Sequence, residues 1–394
     1  MSTTLQPRTR PPVTAWLAVA SITLGIFAIV TSEILPIGLL TTIGADFRVS
    51  DGTAGLTMTL PGAVAAVAAP VVTLATARLD RRVMLGVLMG VLALADVLAA
   101  VATAYEVMLV SRVLVGLTIG GFWSIGAGLA ARLVPPAAVG TATALIFSAV
   151  PLGSVLGVPA GTFVGDVAGW RTAFVALAVL SAGVLAALLV VVPPLPARQV
   201  TSARVLRDLL RGRDTKVALL ATALIVLAHF GTYTYVTPFL RHVTGLGPAA
   251  VSAALLAYGV AGIAGNFLAG RTVAAAPRAT FAAAGCLIAA ATLLLPVLGT
   301  EAGGAFALLV VWGLAYGAVP VCSQAWFARA APHAPEAATV VFTSSFQATF
   351  ALGALLGGVV VDAGSVSAVM VCGGIAALLM AASLARLGRS PSSS

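Results

Sequence analysis

The stretch GLTIGGFWSIGAGLAARLVPP, residues 116–136, returns in altered form as GLAYGAVPVCSQAWFARAAPH, residues 313–333. Four residues match at one constant offset: Gly116, Gly120, Arg132 and Pro135 pair with Gly313, Gly317, Arg329 and Pro332. A shorter pair follows in the same order, LGSVLG from residue 152 and LGALLG from residue 352. Chance matching of small and apolar residues could give one such pair, but not several in sequence order. The chain therefore consists of two related halves.

The composition places both halves in a membrane. Of 394 residues, 60% are hydrophobic and only 8% are charged, with a mean hydropathy of +1.10, whereas a soluble domain carries about a quarter charged residues. A membrane helix needs about 20 apolar residues. Twelve such segments can be drawn, at 14–40, 53–77, 83–103, 107–131, 139–163, 171–193, 216–240, 249–270, 279–299, 304–328, 337–361 and 365–385. The sequence predicts an all-α membrane protein with two parallel repeats of six transmembrane helices.

The distribution of basic residues gives the expected orientation. A net charge of +9 would suggest nucleic acid as the partner of a soluble protein. Here most of the 21 Lys and Arg residues fall in alternate loops, and the exceptions are Arg48, Arg171 and Arg241 on the other side and Arg112 within a span. Because cytoplasmic loops are enriched in Lys and Arg, we expect both termini to be cytoplasmic and no nucleic acid to be bound.

The longest connection divides the chain. Residues 194–215 are basic and partly amphipathic, which is typical of a helix that lies along a membrane surface. We therefore expect a cytoplasmic linker between an N-terminal six-helix bundle, 1–193, and a C-terminal bundle, 216–394. Parallel repeats of this kind are typical of transporters, in which the substrate site lies between the halves near the midplane.

The chain resembles the major facilitator superfamily over essentially its whole length. The segments TSEILPIGLL (31–40), GGFWSIGAGLAARLVPP (120–136) and GWRTAF (169–174) are similar to those of bacterial purine ribonucleoside, sugar and drug efflux pumps in the twelve-span drug:proton antiporter family. The resemblance implies a central cavity, alternating access and a proton gradient as the energy source, with no cofactor. It also implies a monomer in the bacterial inner membrane.

Family motifs suggest the residues of the gates. The loop ARLDRR, 77–82, resembles the acidic and basic loop after the second span, although Ala77 stands where the family has Asp and Asp80 where it has Gly. The resemblance implies a gating role for Asp80, Arg81 and Arg82. We expect the two arginines to contact the C-terminal ends of neighbouring helices. Anchoring by positive charge alone is the alternative.

The fifth span contains GSVLGVPAG, which resembles the Gly-rich motif associated with antiport. Small residues at fourfold spacing let helices approach closely, and a proline permits bending. The conformational candidates are therefore Gly153, Gly157, Pro159 and Gly161, together with Pro36 in the first span and Pro238 in the seventh. Packing alone would also explain these glycines.

Three charged residues lie within predicted spans and are the candidates for proton coupling. They are Glu33, Arg112 and Asp96, and a charge at the bilayer centre costs roughly 2.5–3.5 kcal/mol even on the lenient insertion scale. Glu33 and Arg112 have similar predicted depths, so we expect them to face one cavity as partners. Arginine favours the charged carboxylate and burial favours the protonated one. A static ion pair is the alternative for these two residues, and a purely structural contact is the alternative for Asp96.

The second half lacks a counterpart of Arg112, because Leu309 stands at the corresponding position. Its polar residues are aromatic or amide, which suits contacts to an organic ligand. The predicted substrate-binding residues are Glu33, Trp123, His229, Tyr233, Tyr235, Asn266, Trp312, Gln324 and Gln347. Aromatic residues at membrane interfaces are the alternative for some of them.

The three cysteines, Cys286, Cys322 and Cys372, are odd in number and have no motif spacing, so we expect neither a disulfide framework nor a metal site. The three histidines are scattered, which excludes an enzyme with paired ligands or an activated nucleophile. The resemblance implies a proton-driven exporter of a drug, nucleoside or sugar. An importer on the same fold and a non-transporting receptor remain as alternatives.

Overall fold

The computed structural model describes residues 13–76, 78–126, 129–196, 203–273, 275–330 and 335–387. These residues are helical and contain no strand. Twelve of their helices are long and apolar enough to cross a membrane, as the sequence predicts. They are α1 Val13–Phe47, α2 Asp51–Ala75, α3 Arg81–Ala100, α4 Tyr105–Gly126, α5 Pro136–Ala168, α6 Trp170–Val191, α7 Arg213–His242, α8 Pro248–Thr272, α9 Pro277–Leu298, α10 Ala302–Ala330, α11 Pro335–Ala363 and α12 Val366–Leu387.

The helices form because lipid offers no partner for backbone N–H and C=O groups, so each spanning segment must satisfy its own. Large apolar side chains cover the outside of the molecule, among them Val190, Phe163 and Phe267. We call the side at which α1 begins the terminal side and the side at which it ends the distal side.

Some boundaries differ from the prediction. The first span was predicted to end at residue 40, whereas α1 continues to Phe47 because Ile43 is buried in an apolar cluster and Gly44 lies beside the start of α2. A short helix, Ala203–Arg211, lies within the predicted linker and packs Leu206 and Leu209 against a small core at the terminal side. The helix α7 then begins at Arg213, within the range that was assigned to the linker.

Two spanning helices depart from regular α-helix. The helix α5 contains a π turn, Gly153–Gly157, in the Gly-rich motif. The helix α7 is interrupted at Thr234 and Tyr235, just before Pro238. In contrast, α1 is continuous through Pro36. The two prolines that correspond in sequence therefore have different structural effects.

Each half has its own apolar core, but the core of the second half extends into the first. Ile37 and Leu40 of α1 and Met58 of α2 belong to the same cluster as Tyr233 and Phe350. Several glycines allow this close approach, and a Cβ atom on Gly62 would contact the backbone of α11. The two halves therefore pack directly against each other.

Candidate functional site

Glu33 lies between the two halves. It is on α1, its side chain is buried, and its Oε1 accepts a hydrogen bond of 2.8 Å from Nε2 of Gln347 on α11. The other amide atom of Gln347, Oε1, is buried without a hydrogen-bond partner among the described residues. One carboxylate of the first half is thus held by an amide of the second.

The expected pairing of Glu33 with Arg112 is wrong, because Arg112 faces a different set of groups. Its Nη1 donates to the backbone oxygen of Ser32 at 2.8 Å, and its Nε donates to Ser111 Oγ at 3.2 Å. The guanidinium also lies 5.1 Å from the ring centroid of Phe174. In the described residues no ion pair joins Arg112 to Glu33.

Asp96 belongs to the environment of Arg112. Its two carboxylate oxygens accept hydrogen bonds from Ser32 Oγ at 2.6 Å and from Ser181 Oγ at 3.2 Å, and its charge interacts with that of Arg112. We refer to Ser32, Asp96, Ser111, Arg112 and Ser181 as the Ser32 network. Its members come from α1, α3, α4 and α6 and are fully buried.

An aromatic cluster lies in the second half around His229. The imidazole stacks on Tyr316, with centroids 3.5 Å apart, and on Tyr233 at 5.0 Å. Trp312 Nε1 donates to His229 Nδ1 at 3.1 Å, and the Tyr258 hydroxyl is 3.4 Å from Nε2. A nitrogen that accepts cannot also carry a proton, so His229 is the neutral Nε2–H tautomer in this arrangement.

The cluster connects to the Glu33 site through Tyr316. This residue stacks on His229 and is half-buried, whereas Tyr233, Tyr258 and Trp312 are buried. Phe230 packs edge-on against both Tyr316 and Phe346 of α11, with centroids 5.9 Å apart in each case, so the aromatic surface extends to the helix whose Gln347 binds the Glu33 carboxylate. Such a combination suits a planar organic ligand, which gains stacking on the ring and a hydrogen bond to the carboxylate.

The remaining predicted substrate residues are not gathered at this point. Trp123 packs against the core of the first half. Asn266 and Gln324 lie closer to the terminal ends of α8 and α10, and Gln324 is exposed. Tyr235 is outside the aromatic cluster and donates a hydrogen bond of 2.8 Å to the Ala354 carbonyl. For these residues the substrate role stays a prediction.

The predicted gating loop has the contacts that its charges suggest. Asp80 caps α3 by accepting from the backbone N–H of Arg82 at 2.8 Å. Arg81 donates to the Thr76 carbonyl at the end of α2, and Arg82 donates to the Leu189 carbonyl near the end of α6. Both arginines thus contact C-terminal helix ends, as expected, while their part in gating stays a prediction.

The Gly-rich part of α5 faces α1. A Cβ atom on Gly153 would contact Val30, one on Gly157 would contact Thr31, and one on Gly161 would contact Leu35. A π turn leaves backbone groups outside the regular pattern and often marks a functional position. Pro159 lies in the first turn of the regular helix that follows, Val158–Ala168.

At the distal side, polar contacts join the two halves. Asp362 of α11 accepts hydrogen bonds from Ser50 Oγ at 2.7 Å and from the Gly52 N–H at 3.0 Å, at the beginning of α2. Arg241 forms an ion pair with Asp166 at 3.2 Å nearby, and His242 Nε2 lies 3.6 Å from the Asp51 carboxylate. The halves are therefore in contact on this side of the Glu33 site.

Sequence reasoning missed Tyr258 and Tyr316. The repeat contained a signal for the latter, because Tyr316 stands where the first copy has the apolar Ile119. The role of Ser32 was also missed, and a serine inside an apolar helix gives little indication of its partner. In the described part of the chain, no group of His, Cys, Asp or Glu residues is arranged to hold a metal ion.

Comparison with known proteins adds to this geometry. The model of the Major Facilitator Superfamily matches residues 22–347. The chain is 35% identical over 352 residues to the transcription regulatory protein OpdE of Pseudomonas aeruginosa, with 88% of each chain covered. It is 30% identical over 349 residues to the purine ribonucleoside efflux pump NepI of Escherichia coli K12, again with 88% of each covered.

Solved structures support the same fold. A bacterial homologue of the human lysosomal transporter Spinster, in an inward-facing and occupied conformation, superposes with a TM-score of 0.75 at 15% identity. That match covers 97% of this chain and 98% of the other. The human organic anion transporter MFSD10 gives a TM-score of 0.67 at 18% identity, with 95% and 100% covered.

Proposed function

The chain belongs to the Major Facilitator Superfamily and is a multi-pass membrane transporter, and from this premise we propose that it exports small organic molecules in exchange for protons. The observation that supports this most is Glu33, a buried carboxylate of the first half whose hydrogen-bond donor, Gln347, belongs to the second. A hydrogen bond to a charged group is roughly twice as strong as a neutral one. Protonation of Glu33 therefore weakens a contact between the halves.

The proposed cycle follows from the arrangement of the two sides. The halves are in contact at the distal side through Asp362 and the start of α2, so the ligand enters from the terminal side. With the termini in the cytoplasm, as the basic loops suggest, this corresponds to uptake from the cytoplasm. When the distal side opens, a proton competes with the ligand for the Glu33 carboxylate, so the ligand leaves outward. The protonated transporter then returns and releases the proton on the terminal side.

The aromatic cluster and the relatives suggest the ligand class. The aromatic surface of Tyr316 and the Glu33 carboxylate together favour a neutral or weakly cationic planar molecule, since an anion would meet the carboxylate. NepI is named for purine ribonucleosides, which fit this description, and sugars and hydrophobic drugs are the other candidates. We further propose that the protein acts as a monomer in the bacterial inner membrane, with the proton gradient in place of a cofactor.

Two other functions are tested by the same experiment. An importer would use the same fold with the opposite net direction. The regulatory name of the P. aeruginosa relative would fit a protein that senses a ligand without moving it.

The test is transport in proteoliposomes with an imposed pH gradient and radiolabelled adenosine, a nucleobase, a hexose and chloramphenicol as probes. We expect at least one probe to move against the direction of proton flow, and Glu33→Gln to lose pH-driven transport while it folds and inserts. Glu106→Gln, the same change at an exposed position, is the matched control. Unaltered pH-driven transport in Glu33→Gln excludes Glu33 as the coupling group. Movement with the protons indicates an importer, and no movement of any probe contradicts the transport proposal for these classes.

A further inference from the structure

Pro36 removes one backbone hydrogen bond from the middle of α1. A proline has no N–H, so the carbonyl four residues earlier loses its helical donor. That carbonyl belongs to Ser32, which is fully buried. Within a bilayer no water is present to donate to an unsatisfied carbonyl, so burying it without a hydrogen bond costs free energy. The helix α1 is continuous through this position, so the Ser32 carbonyl stays in place without its helical donor and can accept a hydrogen bond from another helix.

Arg112 is the donor of that hydrogen bond. Its Nη1 lies 2.8 Å from the Ser32 oxygen, which is the distance of a charge-assisted bond. The same serine is held a second time, because its hydroxyl donates to Asp96 Oδ1 at 2.6 Å. Asp96 and Arg112 thus bind the same residue from two helices, and Ser181 donates to the other oxygen of Asp96. Arg112 and Asp96 therefore both bind Ser32, the residue whose carbonyl has no helical donor because of Pro36.

Ser32 precedes Glu33 in the chain, and this adjacency gives the network its effect. Consecutive residues of an α-helix point about 100° apart. With the Ser32 backbone and hydroxyl held by α4 and α3, the Glu33 side chain is directed to the opposite half, where Gln347 binds it. A helix with a proline bends easily at this position, and any rotation would separate Glu33 from Gln347.

We propose that Arg112 and Asp96 are positioning residues, which replace the hydrogen bond lost at Pro36 and thereby fix the direction of Glu33. The proposal rests on the function proposed above, in which Glu33 is the coupling group. It assigns Arg112 and Asp96 no contact with proton or ligand. They act through Ser32.

The test restores the missing backbone N–H at position 36 by substitution of the proline. The paired change Asp96→Asn with Arg112→Gln removes both charges together, so neither is left unbalanced. It is made in the wild-type chain and in Pro36→Ala, where the alanine N–H at position 36 can serve the Ser32 carbonyl. Two transport readouts are compared with radiolabelled adenosine, or with whichever probe the wild type moves: pH-driven transport, and counterflow without a gradient, which needs no net proton movement.

We expect the paired change to reduce pH-driven transport about tenfold in the wild-type chain and less than twofold in Pro36→Ala, with counterflow largely kept in both. An equal loss in the two backgrounds overturns the proposal, because Arg112 would then not act through the Ser32 carbonyl. Equal losses of counterflow and pH-driven transport also overturn it, since they indicate a merely structural role. If the paired variant does not insert, Arg112→Lys tests the same interaction more mildly, and the same criteria apply.

The thermal unfolding midpoint in detergent separates this proposal from the proposed function. The paired change should lower the midpoint less in Pro36→Ala than in the wild-type chain, whether or not the protein moves any probe. If the wild type transports nothing, the function fails while this comparison still reports on the Ser32 carbonyl. If the wild type transports and the two decreases in midpoint are equal, the positioning proposal fails alone.

Discussion

Gly52 is the position at which the smallest change should separate the two halves. It lies at the start of α2, where its N–H donates to Asp362 of the other half at 3.0 Å. A Cβ atom built on Gly52 would be within 3.0 Å of both the Asp362 carboxylate and the Gly358 carbonyl oxygen. A backbone oxygen cannot rotate away as a side chain can. Gly52→Ala therefore requires α2 and α11 to move apart.

The size of the effect follows from the contacts that this movement breaks. The gap must widen by roughly 0.5–1 Å to reach normal van der Waals distance. This stretches both bonds to Asp362, which are 2.7 Å from Ser50 Oγ and 3.0 Å from the Gly52 N–H. Because these groups are partly exposed, each bond contributes about 1 kcal/mol or somewhat more. A total of about 1–3 kcal/mol shifts the equilibrium between distal-closed and distal-open forms by roughly 5- to 150-fold.

Cysteine labelling can measure this shift. Leu40 is fully buried in the core that joins the halves, so Leu40→Cys, in a chain whose three native cysteines are replaced by serine, reports opening of the distal side. A membrane-impermeant maleimide added from that side should label Gly52→Ala faster by at least fivefold. Gly303→Ala is the matched control, because a Cβ atom there meets nothing within 4 Å. Equal labelling rates for the two alanine variants would refute the reasoning.

Two further predictions concern the site itself. Gln347→Leu removes the donor to Glu33 and should reduce pH-driven transport more than counterflow, with unchanged amounts in the membrane; a proportional reduction of both contradicts a coupling role for this contact. Trp312→Phe keeps the aromatic packing but leaves His229 Nδ1 without its donor. This change should destabilise the protein by about 1–3 kcal/mol and lower its thermal unfolding midpoint. An unchanged midpoint would mean that the hydrogen bond contributes nothing to stability.

The architecture could be predicted because the sequence patterns that indicate it extend over many residues. Twelve apolar segments, alternating basic loops and a repeated motif each extend over many residues, so a boundary error, such as the end of α1 at Phe47 instead of residue 40, leaves the fold intact. The candidate site, in contrast, depends on the direction in which each individual side chain points from its helix. Depth along the membrane placed Glu33 and Arg112 at a similar level, but depth says nothing about the side of the helix to which each residue points.

That missing direction explains the wrong pairing. Ser32 and Glu33 are neighbours in sequence, yet on a helix they point about 100° apart. Arg112 approaches from α4 and meets the Ser32 carbonyl, while Gln347 approaches from α11 and meets the Glu33 side chain. The sequence contained one usable clue, since Pro36 leaves the Ser32 carbonyl without its helical donor.

The repeat offers an internal comparison for this interpretation. Pro36 in the first half corresponds to Pro238 in the second, and Leu309 stands at the position that corresponds to Arg112. The second half thus has the proline without the arginine, and there α7 is interrupted at Thr234 and Tyr235. The first half has both, and α1 is continuous. Regular helix also continues through Pro61, Pro70 and Pro296, so Arg112 serves the free Ser32 carbonyl but does not by itself decide whether the helix stays regular. Buried charge in the first half is therefore explained by backbone geometry before any role in transport is considered.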